Sequence, residues 1–97
     1  MTTIKNVKTL SAEKLFALLK TAFADYINSK LDSNLAIDYA HVYDVINVIF
    51  PEVIEGTALT VTVTDDEINV SDNARESVYN VALLEEHLIN FVKIQAG

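Results

Sequence analysis

The chain contains no cysteine, which excludes disulfide staples, thiolate metal sites and a cysteine nucleophile together. Its fold therefore rests on packing alone, an arrangement suited to a reducing compartment. Glycine is nearly as scarce: Gly56 and Gly97 are the two present, too few and too far apart for a phosphate-cradling loop. With a single proline, Pro51, no Pro/Gly/Ser linker divides the 97 residues, so 1–97 reads as one domain with 1–10 as a possible extended arm. Long apolar runs are missing too. Nothing approaches the roughly 18 residues of a membrane span, and the N-terminal ten residues alternate in polarity rather than forming a secretory signal. The expected location is the cytoplasm, of the protein's own cell or of a host.

Positive charge is the remaining shortage. Seven Lys and Arg face fourteen Asp and Glu, a net of −7. Residues 1–30 hold five lysines against two acids, a net of +3, whereas residues 31–97 hold two bases against twelve acids, a net of −10. Nucleic-acid affinity rests on counterion release by clustered Lys and Arg, so direct binding to DNA or RNA is disfavoured and a basic protein partner is favoured.

Apolar residues are plentiful, at 51% with four Phe and four Tyr. Ser11 is a good N-cap, with Leu10 and Leu15 placed for a hydrophobic staple. Leu15, Leu19, Ala22, Phe23, Tyr26 and Ile27 then recur at helical spacing, with Phe16 flanking them, which predicts a first helix from about Ala12 to Leu31. Val42, Val45, Ile46 and Ile49 share a helical period with Tyr39 and Tyr43, and a second helix is expected between Asp38 and Phe50. Residues 57–64 and 67–71 alternate with period two, so a β-hairpin is expected with Val63 opposite Ile68 and Val61 opposite Val70. A last helix is expected from the Ser71-Asp72-Asn73 cluster, with Asn73 and Glu76 as a capping box, to Gln95. The fold class is thus α+β: three helices packed on one hairpin, order α-α-β-β-α, in two layers. Residues Thr3 to Val7 could supply a third strand.

Ser11 to Lys14 matches S-x-x-K and Ser71-Asp72-Asn73 matches S-D-N, a pair that resembles the serine penicillin-recognising enzymes. No K-T-G follows and both segments are accounted for as helix starts, so no catalytic residue is assigned. The element order is similar to that of winged-helix domains, but residues 38–50 hold no Lys or Arg where a recognition helix needs them. His41 and Asp44, one helical turn apart, are two ligands and not a metal site; His87 reads as an exposed surface residue. No cofactor is implied.

Candidate partner-binding residues are the acidic hairpin tip Asp65, Asp66 and Glu67 with Asp72 nearby, and a last helix apolar on two sides, where Tyr79, Leu83 and Ile94 lie off the main stripe. Glu85 falls inside that stripe, where a lone carboxylate is costly. The expectation is a non-enzymatic interaction domain acting through its negative surface, in its sharpest form an inhibitor of a nucleic-acid-handling enzyme from a phage or mobile element. The alternative is a small structural or assembly protein self-associating through the last helix and the hairpin edge. A small-ligand binder is the remaining class.

Overall fold

A computed structural model of the chain describes residues 2–32, 34–52, 54, 56–73 and 81–97. Among these residues, five antiparallel strands form one sheet: β1 (Thr2–Lys5), β2 (Asp38–Val42), β3 (Val45–Ile49), β4 (Leu59–Val63) and β5 (Glu67–Asp72). Their spatial order is β1-β5-β4-β3-β2. Between β1 and β2 runs a helical rod made of α1 (Ala12–Leu18), a π-turn (Leu19–Phe23) and α2 (Ala24–Leu31); α3 (Val81–Ala96) follows β5. The class is α+β, but not three helices on a two-stranded hairpin.

The decisive correction concerns residues 38–50. Where helical spacing predicts a second helix, the chain forms β2, a two-residue turn at Tyr43-Asp44, and β3, with Val42 opposite Val45 and Tyr39 opposite Val48. The β-branched and aromatic composition of this segment wins over its period, because such side chains fit a pleated, half-buried surface. Ile46 and Val48 go to the core while Val45 and Ile49 stay half-buried on the other face. The apparent helical stripe therefore mixes two faces of a sheet.

The second hairpin has the expected register. Val63 stands opposite Ile68 and Val61 opposite Val70, and the apolar members are buried while Thr60 and Thr62 face the other side. At its turn the Thr64 backbone N–H donates to the Glu67 carbonyl (2.8 Å), and the Glu67 N–H donates to Thr64 Oγ1 (3.0 Å). This hairpin is not an edge: β3 flanks it on one side and β1 on the other. The third strand expected near Thr3 to Val7 is present as β1, shifted towards the N-terminus.

The helical rod begins where the sequence places it, with Ser11 Oγ accepting from the Lys14 N–H (3.1 Å). Leu15, Leu19, Phe23 and Ile27 recur every fourth residue and are fully buried. The π-turn is unannounced by that period. Within it Thr21 Oγ1 donates back to the Ala17 carbonyl (2.9 Å), a bond of the kind that bends helices. The rod ends at Asp32, whose φ of 50° is left-handed. Helix α1 packs on β2 and β3, α3 on β1 and β5, and α2 against α3. Phe23 and Phe91 meet edge-to-face at 5.3 Å, closing the seam between the helices.

Among the described residues, the helices thus all cover one face of the sheet. The opposite face carries a polar ladder: Thr3 Oγ1 donates to Asn69 Oδ1 (2.7 Å), Thr60 Oγ1 to Asn47 Oδ1 (3.1 Å), and Asn73 Nδ2 to Thr60 Oγ1 (2.6 Å). Asn73 is therefore tied to the sheet, and Ser71 and Asp72 belong to β5, not to a helix start. The expected capping partner Glu76 lies outside the described residues.

Among the described residues Asn6 is the one buried polar side chain. Its Nδ2 donates to the carbonyls of Leu10 and Thr64 (both 2.9 Å), and its Oδ1 accepts from the Leu10 N–H (2.9 Å). Its own N–H donates to the Asp66 carbonyl (2.9 Å). One amide thus ties the loop before α1 to the end of the central hairpin, with every polar atom satisfied.

Candidate interaction surface

The acidic turn comes from the tight closure of β4 onto β5. Asp65, Asp66 and Glu67 are all exposed there, as the sequence predicts. A fourth acid joins them that the sequence reading left elsewhere. Asp44, in the turn of the β2–β3 hairpin, accepts at its carbonyl from the Val63 N–H (2.8 Å). It lines a hollow of about 330 Å³ together with Ser11, Thr64 and Asp65. The two hairpin turns therefore place Asp44, Asp65, Asp66 and Glu67 at one end of the sheet. On β1, Lys5 stands opposite Glu67 and supplies partial counter-charge.

Asp72 does not belong to this cluster. It is half-buried and paired in register with Leu59, five residues along β5 from Glu67, roughly 17 Å away at the rise of a strand. It sits at the opposite end of the sheet from the tip.

The expected surface on the last helix is only partly present. Ile94 is exposed (61%), Leu83 is half-buried on the same side of α3, and Tyr79 lies outside the described residues. Glu85 is half-buried, and one of its carboxylate oxygens is shielded from solvent without a hydrogen-bond partner among the described residues. His87, expected to be exposed, is half-buried with Nδ1 in the same condition. Glu85 and His87 are two positions apart, so they leave the helix in nearly opposite directions and do not form a pair.

The sequence reading missed the β2 edge. Tyr39 and His41, which a helix would have put on different faces, share the inner face of β2 opposite Val48 and Ile46. Phe16 lies against both, with its ring centroid 5.0 Å from His41 and 6.2 Å from Tyr39. The Tyr39 hydroxyl donates to the Leu19 carbonyl at the start of the π-turn (3.1 Å), and burial pushes its pKa well above the usual phenol range. It remains a neutral donor at any physiological pH. Beside this cluster, Glu13, Phe16, Ala17, Lys20, Thr21 and His41 line a shallow groove of about 470 Å³. The Lys20 ammonium stands 5.2 Å above the Phe16 ring. Phe16 beside an otherwise regular apolar stripe was the available signal.

Among the described residues, no three His, Asp or Glu side chains are grouped to hold a metal ion. The His41–Asp44 spacing loses its helical meaning, since His41 Nε2 instead pairs with the Tyr43 carbonyl (2.8 Å). Among the described residues, no helix is long and apolar enough to cross a membrane. Comparison with protein-family models, with curated proteins and with solved structures gives no match.

Proposed function

We propose that this is a non-enzymatic interaction domain whose working surface is the acidic end of the sheet, and that its partner is a protein with a basic surface. The observation that supports this reading is the convergence of Asp44, Asp65, Asp66 and Glu67 on two adjacent hairpin turns, all exposed. Acids held on short turns of a rigid sheet lose little conformational freedom on binding. They steer a cationic surface from a distance set by the ionic strength. A narrower form of the proposal is an inhibitor whose carboxylates occupy the basic groove of a nucleic-acid-handling enzyme. That form rests on the type of protein, small and acidic, and on no motif.

The test is affinity capture from the native cell at low and high salt, using the wild-type chain and an Asp65→Asn/Asp66→Asn/Glu67→Gln variant. A basic partner retained by the wild type at low salt, lost at high salt and lost by the variant is the expected result. A partner held equally by both proteins at high salt would sink the reading.

A further inference from the structure

The edge of β2 carries backbone groups that pair with no other strand among the described residues. In a hairpin closed by a two-residue turn, Val42 and Val45 exchange both hydrogen bonds, and so do the alternate pairs Ala40–Asn47 and Asp38–Ile49. The N–H and C=O groups of Tyr39 and His41 then point away from β3, on the side where no described strand pairs with β2. Sheets usually guard such an edge with lysine, proline or a bulge. Strand β2 has none of these in its sequence Asp-Tyr-Ala-His-Val.

We propose that this edge is a homodimer interface, in which β2 pairs antiparallel with β2 of a second copy about a two-fold axis through Ala40. In that register Tyr39 of each copy exchanges hydrogen bonds with His41 of the other, and the two sheets become one of ten strands. The occupant is identified by the helix above the edge. Helix α1 runs antiparallel to β2: Ser11 and Ala12 share a hollow with Asp44, Phe16 lies against His41 and Tyr39, and Leu19 receives the Tyr39 hydroxyl. The axis through Ala40 therefore passes beside Phe16. On the groove-facing stripe of the helix, Glu13 lies three residues before Phe16 and Lys20 four residues after it, about one turn each way. A two-fold rotation carries Glu13 of each copy onto Lys20 of the other, with the small Ala17 near the centre.

An isologous interface must be self-complementary in this way. An unrelated extended peptide could satisfy the strand edge, but it would leave the acid–base symmetry of the stripe without a use. The net negative charge does not prevent the pairing, because antiparallel strands send the two acidic hairpin ends in opposite directions and salt screens what remains. This interface is separate from the acidic end of the sheet, so either reading can fail alone.

Sedimentation of the full chain from micromolar to near-millimolar concentration tests the proposal, with circular dichroism confirming that each variant is folded. The wild type is expected to dimerise. Glu13→Lys and Lys20→Glu, both at exposed positions, each turn two attractive contacts into repulsive ones and should weaken the dimer roughly tenfold. An equimolar mixture of the two variants places Lys against Glu at both contacts, and so should form a heterodimer that neither makes with itself. The double variant should recover wild-type association. A monomeric wild type across the range, singles that dimerise undiminished, or a mixture that fails to recover association would each overturn the proposal.

Discussion

The two edges of this sheet are held by opposite means. Strand β1 is fastened by a buried amide: Asn6, at its end, makes three side-chain hydrogen bonds to backbone, and the Lys8 N–H donates to the Ala96 carbonyl at the end of α3 (2.9 Å). Strand β2 is fastened by aromatic packing, with Phe16 lying over Tyr39 and His41 and a single hydroxyl bond reaching the π-turn. The polar anchor is specific in direction and fails badly when incomplete, because its partners are left buried and unpaired. The aromatic anchor is less directional. Both strands are terminal in the sheet and leave one side of their backbone unpaired among the described residues, but β1 carries Lys5 on its edge, a guard that β2 lacks.

The largest expected effect comes from breaking the polar anchor. Asn6→Ala strands the carbonyls of Leu10 and Thr64 and the Leu10 N–H, and should lower unfolding stability by about 3 kcal/mol. Urea denaturation measures it; a loss below about 1 kcal/mol would mean that water replaces the amide at little cost. Tyr39→Phe removes a single bond at the other edge and should cost about 1 kcal/mol at neutral pH. A cost for Tyr39→Phe equal to that for Asn6→Ala would erase the contrast between the edges.

Tyr39 also sharpens the contrast through pH. Its phenol is raised by burial, while in the unfolded chain it ionises near the ordinary value of about 10. The unfolded state therefore releases this proton first as pH rises. The stabilising contribution is complete below about pH 10 and is lost as pH climbs towards the folded value. The advantage of wild type over Tyr39→Phe should shrink above that pH and hold steady below it. A difference that stays constant through the alkaline range would show that the hydroxyl is as solvated in the fold as outside it.

The same division between the edges explains what could be read from the sequence. The rod from Ala12 to Leu31 and the β4–β5 register were legible because each has one strong period and a recognisable start or turn: Ser11 for the helix, Asp65-Asp66 for the hairpin. The β2–β3 hairpin was not, because its turn is Tyr43-Asp44 with neither Gly nor Asn, and because two strands joined by two residues brought Val42, Val45, Ile46 and Ile49 into accidental helical spacing. Losing that hairpin concealed the five-stranded sheet, the central position of β4–β5, and Asp44 as a member of the acidic end. It also concealed the open edge, since Tyr39 and His41 share a face only in a strand. Asn6 gave no signal at all, because a buried amide is defined by partners from distant segments that no local pattern names.

The smallest effects concern two left-handed residues, one near each edge. Thr9 has a φ of 51° and Tyr43 a φ of 53°, a region that costs L-residues roughly 1–2 kcal/mol and glycine almost nothing. Thr9 is β-branched, the more strained case, and its hydroxyl bonds no farther than the Lys8 carbonyl (2.7 Å). Tyr43 is 91% exposed, so its ring supports no packing that glycine would lose. Glycine at either site gives back part of the gain by loosening the unfolded chain. Thr9→Gly should therefore stabilise by about 1 kcal/mol and Tyr43→Gly by about 0.5 kcal/mol, both read as rises in melting temperature. A stabilised Tyr43→Gly chain would mean that this exposed aromatic is held in a strained turn at the expense of the fold, at the corner where the open edge meets the acidic end. A destabilised one would mean that the ring packs on the chain after all, and the β2 edge would then be less open than its backbone geometry implies.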